Sequence, residues 1–127
     1  MVEDRVQKVL IKEVVDNSTL EYCYQKLAEE LFELGELVMK QITKPKGANS
    51  DERINHLIEE MGDVLLNVQG LAIKLDVENQ VDKRIKYKLD QCLNRVKKQK
   101  KILSENLSLG IVIEVNDNSF FVNEDEY

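Results

Sequence analysis

Four acidic residues stand in two pairs, Glu30 with Glu33 and Glu60 with Asp63, each pair three residues apart. The first lies in the run Glu29-Glu30-Leu31-Phe32-Glu33, the second in Glu60-Met61-Gly62-Asp63. On a helix, residues three apart share a face, one turn above the other. Two such pairs facing each other make a carboxylate cage suited to a hard divalent cation, and a cation held in this way carries phosphate oxygens. Carboxylates brought this close repel one another unless a cation sits among them.

Helices must position these acids, and the apolar spacing supplies them. Val6, Val9, Leu10 and Val14 give residues 2–15 a helical period. Asp16-Asn17-Ser18 breaks it, and Ser18 followed by Glu21 reads as a capping box opening a second helix. The stripe Leu20, Cys23, Tyr24, Leu27, Leu31, Leu34, Val38 carries that helix to about Thr43, before the breaker Lys44-Pro45-Lys46-Gly47-Ala48-Asn49. Ser50 or Asp51 caps a third helix, with the stripe Ile54, Leu57, Ile58, Met61, Val64, Leu65, Val68, Leu71, Ala72, Leu75. Each long helix spans about 25 residues, roughly 38 Å. A fourth begins near Glu78, shows Val81, Ile85, Leu89, Cys92, Val96 and Ile102 as its apolar face, and ends before Gly110.

Helical phase sorts the acids. At 100° per residue from the centre of the apolar stripe, Glu30 falls about 60° to one side and Glu33 about 120° to the same side. Glu60 falls about 100° and Asp63 about 160° off the next stripe, on one flank shared with His56 and Asn67. Glu29 and Glu36 point to the opposite, solvent pole, and Glu59 points away from Glu60. The expectation is an acidic groove at the edge of the core, with Glu30 and Glu60 flanking the core and Glu33 and Asp63 extending outward. Phe32 projects away from its own stripe, which implies a second apolar surface suited to subunit contact.

The chain's 127 residues make one domain, with 43% hydrophobic and 33% charged residues, one Pro and no Trp. That composition fits an all-α, four-helix bundle-type fold. The expected organisation is a helical domain over 1–108 and an acidic tail over 109–127. In the tail, Ile111-Val112-Ile113-Glu114-Val115 and Phe120-Phe121-Val122 flank Asn116-Asp117-Asn118-Ser119 and read as a small β-hairpin. The net charge of −6 is concentrated there, because residues 111–127 hold five acids and no Lys or Arg. Basic residues cluster between Lys83 and Lys101 but interleave with a core pattern, so no nucleic-acid partner is expected. No apolar run approaches ~18 residues and the N-terminus is acidic, so neither a membrane span nor a signal peptide is expected and the reading is cytoplasmic. Cys23 and Cys92 lack metal-type spacing and read as packing residues.

The run Glu29-Glu30-Leu31-Phe32-Glu33, then 26 residues, then Glu60-Met61-Gly62-Asp63 resembles the E-E-x-x-E…E-x-x-D signature of MazG-like nucleoside triphosphate pyrophosphohydrolases, in the all-α NTP pyrophosphatase superfamily. The resemblance covers roughly residues 18–100, including the lead-in Lys26-Leu27-Ala28 and the run Asp63-Val64-Leu65-Leu66. It implies hydrolysis of nucleoside triphosphates between the α- and β-phosphates, giving a monophosphate and pyrophosphate. By the same resemblance Glu30, Glu33, Glu60 and Asp63 hold Mg²⁺, with Mn²⁺ as a substitute, and Glu33 or Glu30 takes a proton from the attacking water. Glu29 matches the first acid of the motif and would act behind the ligands. Asn67 would meet the nucleotide, Lys88 and then Arg95 and Lys86 would meet its phosphates, and the chain would assemble as a homodimer or homotetramer.

Two other readings compete with this one. A phosphoribosyl-ATP pyrophosphohydrolase would share the cage and differ in substrate. A non-catalytic helical module would use the tail to bind a partner by strand addition and show no dependence on divalent cations. A di-iron carboxylate bundle is excluded, because it needs two Glu-x-x-His motifs and the single His56 has no Glu three residues before it.

Overall fold

Short polar side chains set where the first three helices of this chain start. The computed structural model describes residues 4–108 and Gly110; the expected hairpin at 111–127 lies outside them. The described residues form four α-helices, α1 (Arg5–Asp16), α2 (Leu20–Thr43), α3 (Asp51–Lys74) and α4 (Glu78–Ser108), and no strand. The Asp4 carboxylate accepts from the Val6 N–H at 2.9 Å and starts α1. Thr19 Oγ1 accepts from the Tyr22 N–H at 3.0 Å and starts α2, and Ser50 Oγ accepts from the Arg53 N–H at 3.4 Å and starts α3.

The capping box expected at Ser18 and Glu21 is therefore displaced by one residue. Ser18 closes the preceding helix instead, its hydroxyl donating to the Val14 carbonyl at 2.9 Å. Carbonyls at the end of a helix lack partners within it; Ser18 serves one of them and leaves the cap to Thr19. The Lys74 ammonium serves another, donating to the Val15 carbonyl at 2.8 Å and tying the end of α1 to the end of α3. At the end of α3, Asp76 adopts the left-handed region (φ 55), with Val77 N–H bonding the Ala72 carbonyl and Asp76 N–H the Ile73 carbonyl. This is a Schellman stop with an aspartate in the place usually taken by glycine.

The chain divides into two compact units, Met1–Val81 and Asp82–Tyr127. In the first, α3 packs along α2 and against α1. Gln41 meets Arg53 beside the connection while Glu30 meets Glu60 and Asp63 further along, so α2 and α3 run antiparallel. A Cβ added at Gly70 would stand 3.1 Å from Val15 Cγ1, so the absence of a side chain there lets α1 approach α3 closely. The core is small: Val15, Cys23, Val64 and Ala72 are its buried apolar residues, joined by buried Glu30 and Gln69.

Much of each expected apolar stripe lies outside that core. Leu20, Tyr24, Leu31 and Val38 of α2 are exposed, as are Ile54, Ile58, Met61, Leu65 and Leu75 of α3. The side of α2 that is actually covered runs through Cys23, Leu27, Glu30, Leu34, Leu37 and Gln41, rotated toward the acids. In the second unit, the expected face of α4 is likewise exposed at Ile85, Leu89, Cys92 and Ile102, while Lys88, Gln91, Arg95, Gln99 and Leu103 are half-buried. Arg84 lies over the Tyr87 ring at 5.4 Å, and Gln91 donates to the Tyr87 hydroxyl at 2.9 Å. No helix among the described residues is long and apolar enough to cross a membrane.

Candidate metal centre

Rotation of α2 toward its acids carries Glu30 inward. Its residue is 5% exposed, so it is a buried carboxylate, not the edge-of-core group that the helical wheel implied. Across from it α3 turns a covered side made of Arg53, Leu57, Glu60, Val64, Asn67 and Leu71. Glu60 is half-buried, with its side chain 14% exposed, and Asp63 lies one turn on at the solvent edge. Glu30, Glu60 and Asp63 each offer a carboxylate oxygen within 4.8 Å of the others. Glu30 Oε2 and Glu60 Oε2 are buried and have no hydrogen-bond partner.

Such orphaned oxygens are costly, since each gives up water without replacement, at about 1–3 kcal/mol or more for a charged group. Nearby negative charges add repulsion. Both costs are relieved by one cation that takes oxygen ligands. The donor set consists only of carboxylates and is the chemistry of Mg²⁺, Mn²⁺ or Ca²⁺ sites. The residues present therefore fit a hard divalent ion.

Glu33 stands beside this trio and does not join it within the same distance. It is exposed, and its carboxyl is held above the usual carboxylate range. Partial loss of water is the first cause, followed by the charges of Glu30 and Glu60, a hydrogen bond shared with Glu60, and the charge of Glu29. His56 Nε2 lies 3.8 Å from Glu60 Oε1, so this exposed histidine belongs to the rim of the site. Glu29 is exposed and turned from the trio, as its phase on the helix requires.

Lys26 was not singled out by sequence reasoning. Its ammonium is 3.1 Å from Glu30 Oε1 and 3.5 Å from Glu29 Oε1. The hydrogen bond to Glu30, then the charge of Glu29, raise its proton affinity above the ordinary lysine value. The signal was present as i,i+4 spacing from Glu30. Lys26 and Asn67 also line an apolar cleft of about 280 Å³, walled by Ile11, Val14, Cys23 and Leu71 among others. Asn67 is anchored there by its amide donating to the Asp63 carbonyl at 2.8 Å.

The structure thus brings Glu30, Glu60 and Asp63 together, with Glu33, Lys26, His56 and Asn67 around them. Lys86, Lys88 and Arg95 belong to α4 in the second unit, where Lys86 is exposed and Lys88 and Arg95 are half-buried and partnered.

Helices throughout the described residues, with a carboxylate trio that runs from buried Glu30 to exposed Asp63 between two long helices, are the class defined by this geometry. A family model, the MazG nucleotide pyrophosphohydrolase domain, matches residues 18–99, a stretch that holds all of α2 and α3 and most of α4. The chain belongs to that family. At the level of the family it is a nucleotide pyrophosphohydrolase, and enzymes of this kind depend on a divalent metal. No curated protein and no solved structure gives a significant match.

Proposed function

We propose that this chain hydrolyses nucleoside triphosphates between the α- and β-phosphates, releasing a nucleoside monophosphate and pyrophosphate. The substrates in view are deoxynucleoside triphosphates or non-standard nucleotides, and the role is control of the nucleotide pool. One observation carries the reading: the buried Glu30 carboxylate, set against Glu60 and Asp63, has an oxygen that none of the described residues satisfies. Mg²⁺ is the proposed ion, held by Glu30, Glu60 and Asp63 with Glu33 beside them, and Mn²⁺ would substitute. When bound, such an ion neutralises phosphate charge and polarises a water or phosphoryl oxygen.

The remaining work falls to the chain. Glu33 accepts the proton of the water that attacks the α-phosphorus, as the bond from that phosphorus to the bridging oxygen breaks and pyrophosphate departs. Its exposure at the rim and its raised proton affinity support this choice. Glu30 is less accessible to that water, because it is buried and one of its oxygens is held by Lys26. Asn67 contacts the sugar or base from the wall of the cleft, a role its anchored amide favours. Lys88, then Arg95 and Lys86, are carried forward as phosphate partners on the chemical ground that a triphosphate needs more positive charge than one ion supplies. Glu29 acts behind the ligands through Lys26.

Residues 1–108 are proposed to act as the catalytic domain, with 109–127 as an appendage. Assembly as a homodimer or homotetramer is proposed on the exposed apolar face of α2, where Phe32 is 78% exposed and forms a shallow recess with Leu31, Gly35 and Met39.

The test is a panel of ribo- and deoxynucleoside triphosphates, with phosphoribosyl-ATP included, assayed with Mg²⁺ while monophosphate and diphosphate products are resolved. Pyrophosphate release that disappears in Glu60→Gln and Asp63→Asn, with the helical fold intact, is the expected result. Full activity in both variants sinks the assignment. Turnover of phosphoribosyl-ATP alone transfers it to that relative.

A further inference from the structure

The Glu30 carboxylate is divided between two environments. Its Oε1 is 3.1 Å from the Lys26 ammonium, and its Oε2 is buried without a partner. Ion pairs at i,i+4 on an exposed helix face are weak and interchangeable. This one differs because the acceptor side chain is 7% exposed and the donor only 34%. A desolvated carboxylate cannot turn toward water when a partner is lost, so the ammonium on Oε1 decides how Glu30 is oriented.

We propose that Lys26 is a positioning residue that holds one oxygen of Glu30 and so restricts that carboxylate to offering a single oxygen to the cation. The inference rests on the metal-dependent reading above and adds selectivity to it. Mg²⁺ binds through single carboxylate oxygens in a tight octahedron, whereas Ca²⁺ accepts more oxygens at longer range and commonly takes both oxygens of a carboxylate. With Oε1 held by Lys26, Glu30 suits the smaller ion. Glu29, 3.5 Å from the same ammonium, keeps Lys26 from swinging into the cage.

The experiment measures ion binding without nucleotide. Mn²⁺ is titrated into the full chain and followed by its paramagnetic resonance signal, then displaced with Mg²⁺ and, separately, with Ca²⁺. Lys26→Met frees Oε1, and the preference for Ca²⁺ over Mg²⁺ is expected to rise ~10-fold or more, within the range seen when partners of metal ligands are removed. Lys26→Arg keeps a cationic donor and is expected to restore the wild-type preference. Circular dichroism on each variant verifies the fold, and Lys26→Ala, which also lacks a donor, serves in place of Lys26→Met if the latter aggregates.

A merely structural lysine would weaken both ions together and leave their ratio unchanged. That outcome overturns the proposal, as does a ratio in Lys26→Arg that equals the Lys26→Met value. Absence of Mn²⁺ binding in the wild type, by contrast, overturns the metal-dependent reading itself.

Discussion

The α2–α3 contact contains two polar clusters, and they are built on opposite principles. Near the connection, Arg53 donates to the Lys44 carbonyl at 2.6 Å and to Gln41 Oε1 at 3.2 Å, while Gln41 donates to the Ala48 carbonyl at 2.6 Å. Each partner there is answered, and the loop of residues 44–50 is tied to both helices. Further along the same contact, Glu30, Glu60 and Asp63 converge with one sign of charge, and two buried oxygens are unanswered. A cluster that closes on itself stabilises a fold. One that stays incomplete carries a cost that a bound cation would relieve.

The largest separation between the two clusters should come from their own substitutions. Glu30→Gln, Glu60→Gln and Asp63→Asn are each expected to lower pyrophosphate release by ~100-fold or more, since even residues behind metal ligands give 10–100-fold effects. For Glu60→Gln and Asp63→Asn the melting temperature without metal should hold or rise, because each removes a negative charge from a repelling group, whereas Glu30→Gln also gives up the ion pair with Lys26. Arg53→Ala should do the reverse, costing about 1–3 kcal/mol of stability through the unsatisfied groups it leaves while activity per folded molecule is retained. Steady-state rates and thermal melts on the same samples decide it. Loss of activity in Arg53→Ala at full folding would erase the distinction.

Metal should stabilise one cluster only. At one hundred times Kd, a cation that binds only the folded chain adds about 2.7 kcal/mol, a rise of several degrees in Tm. That rise should persist in Arg53→Ala and vanish in Glu30→Gln. An equal rise in Glu30→Gln would locate the ion elsewhere.

The same contrast explains which parts of the molecule were legible in the sequence. Helix ends were readable because their signals are local: Ser50 before Asp51 opens α3, and Pro45 follows the end of α2 at Thr43. The choice between Ser18 and Thr19 was not, since either hydroxyl can cap and a tertiary demand on neither was visible. The four acids could be picked out from spacing, but their depth could not. A helical wheel weights every apolar residue alike, and α2 carries apolar residues on two surfaces, one holding Cys23 and Leu27 and another holding Leu31, Phe32 and Met39. Averaging the two moved the apparent core away from Glu30 and made a buried ligand candidate look marginal. Lys26 was legible at i,i+4 from Glu30, yet only the burial of its acceptor separates it from an ordinary surface pair.

The smallest expected effect concerns protons in the metal-free chain. Glu33 has its proton affinity raised in the folded state above the reference of 4.5, by loss of water first and by Glu30 and Glu60 next. A group whose folded pKa is raised contributes stability that is complete below the unfolded value and is lost as pH rises through the folded value. With a chelator present, Tm should therefore decline as pH climbs above 4.5, and Glu33→Gln should reduce that slope. Lys26 has the same sign but acts only at alkaline pH, since its reference is 10.5, so the two do not overlap. Saturating Mg²⁺ should also flatten the acidic slope, because a bound cation takes over the neutralising role of the proton. At the Arg53 cluster the same metal should change nothing. An unaltered slope in Glu33→Gln would mean that the repulsion within the acidic cluster is relieved by another carboxyl, and Glu33 would then lose its claim to be the base.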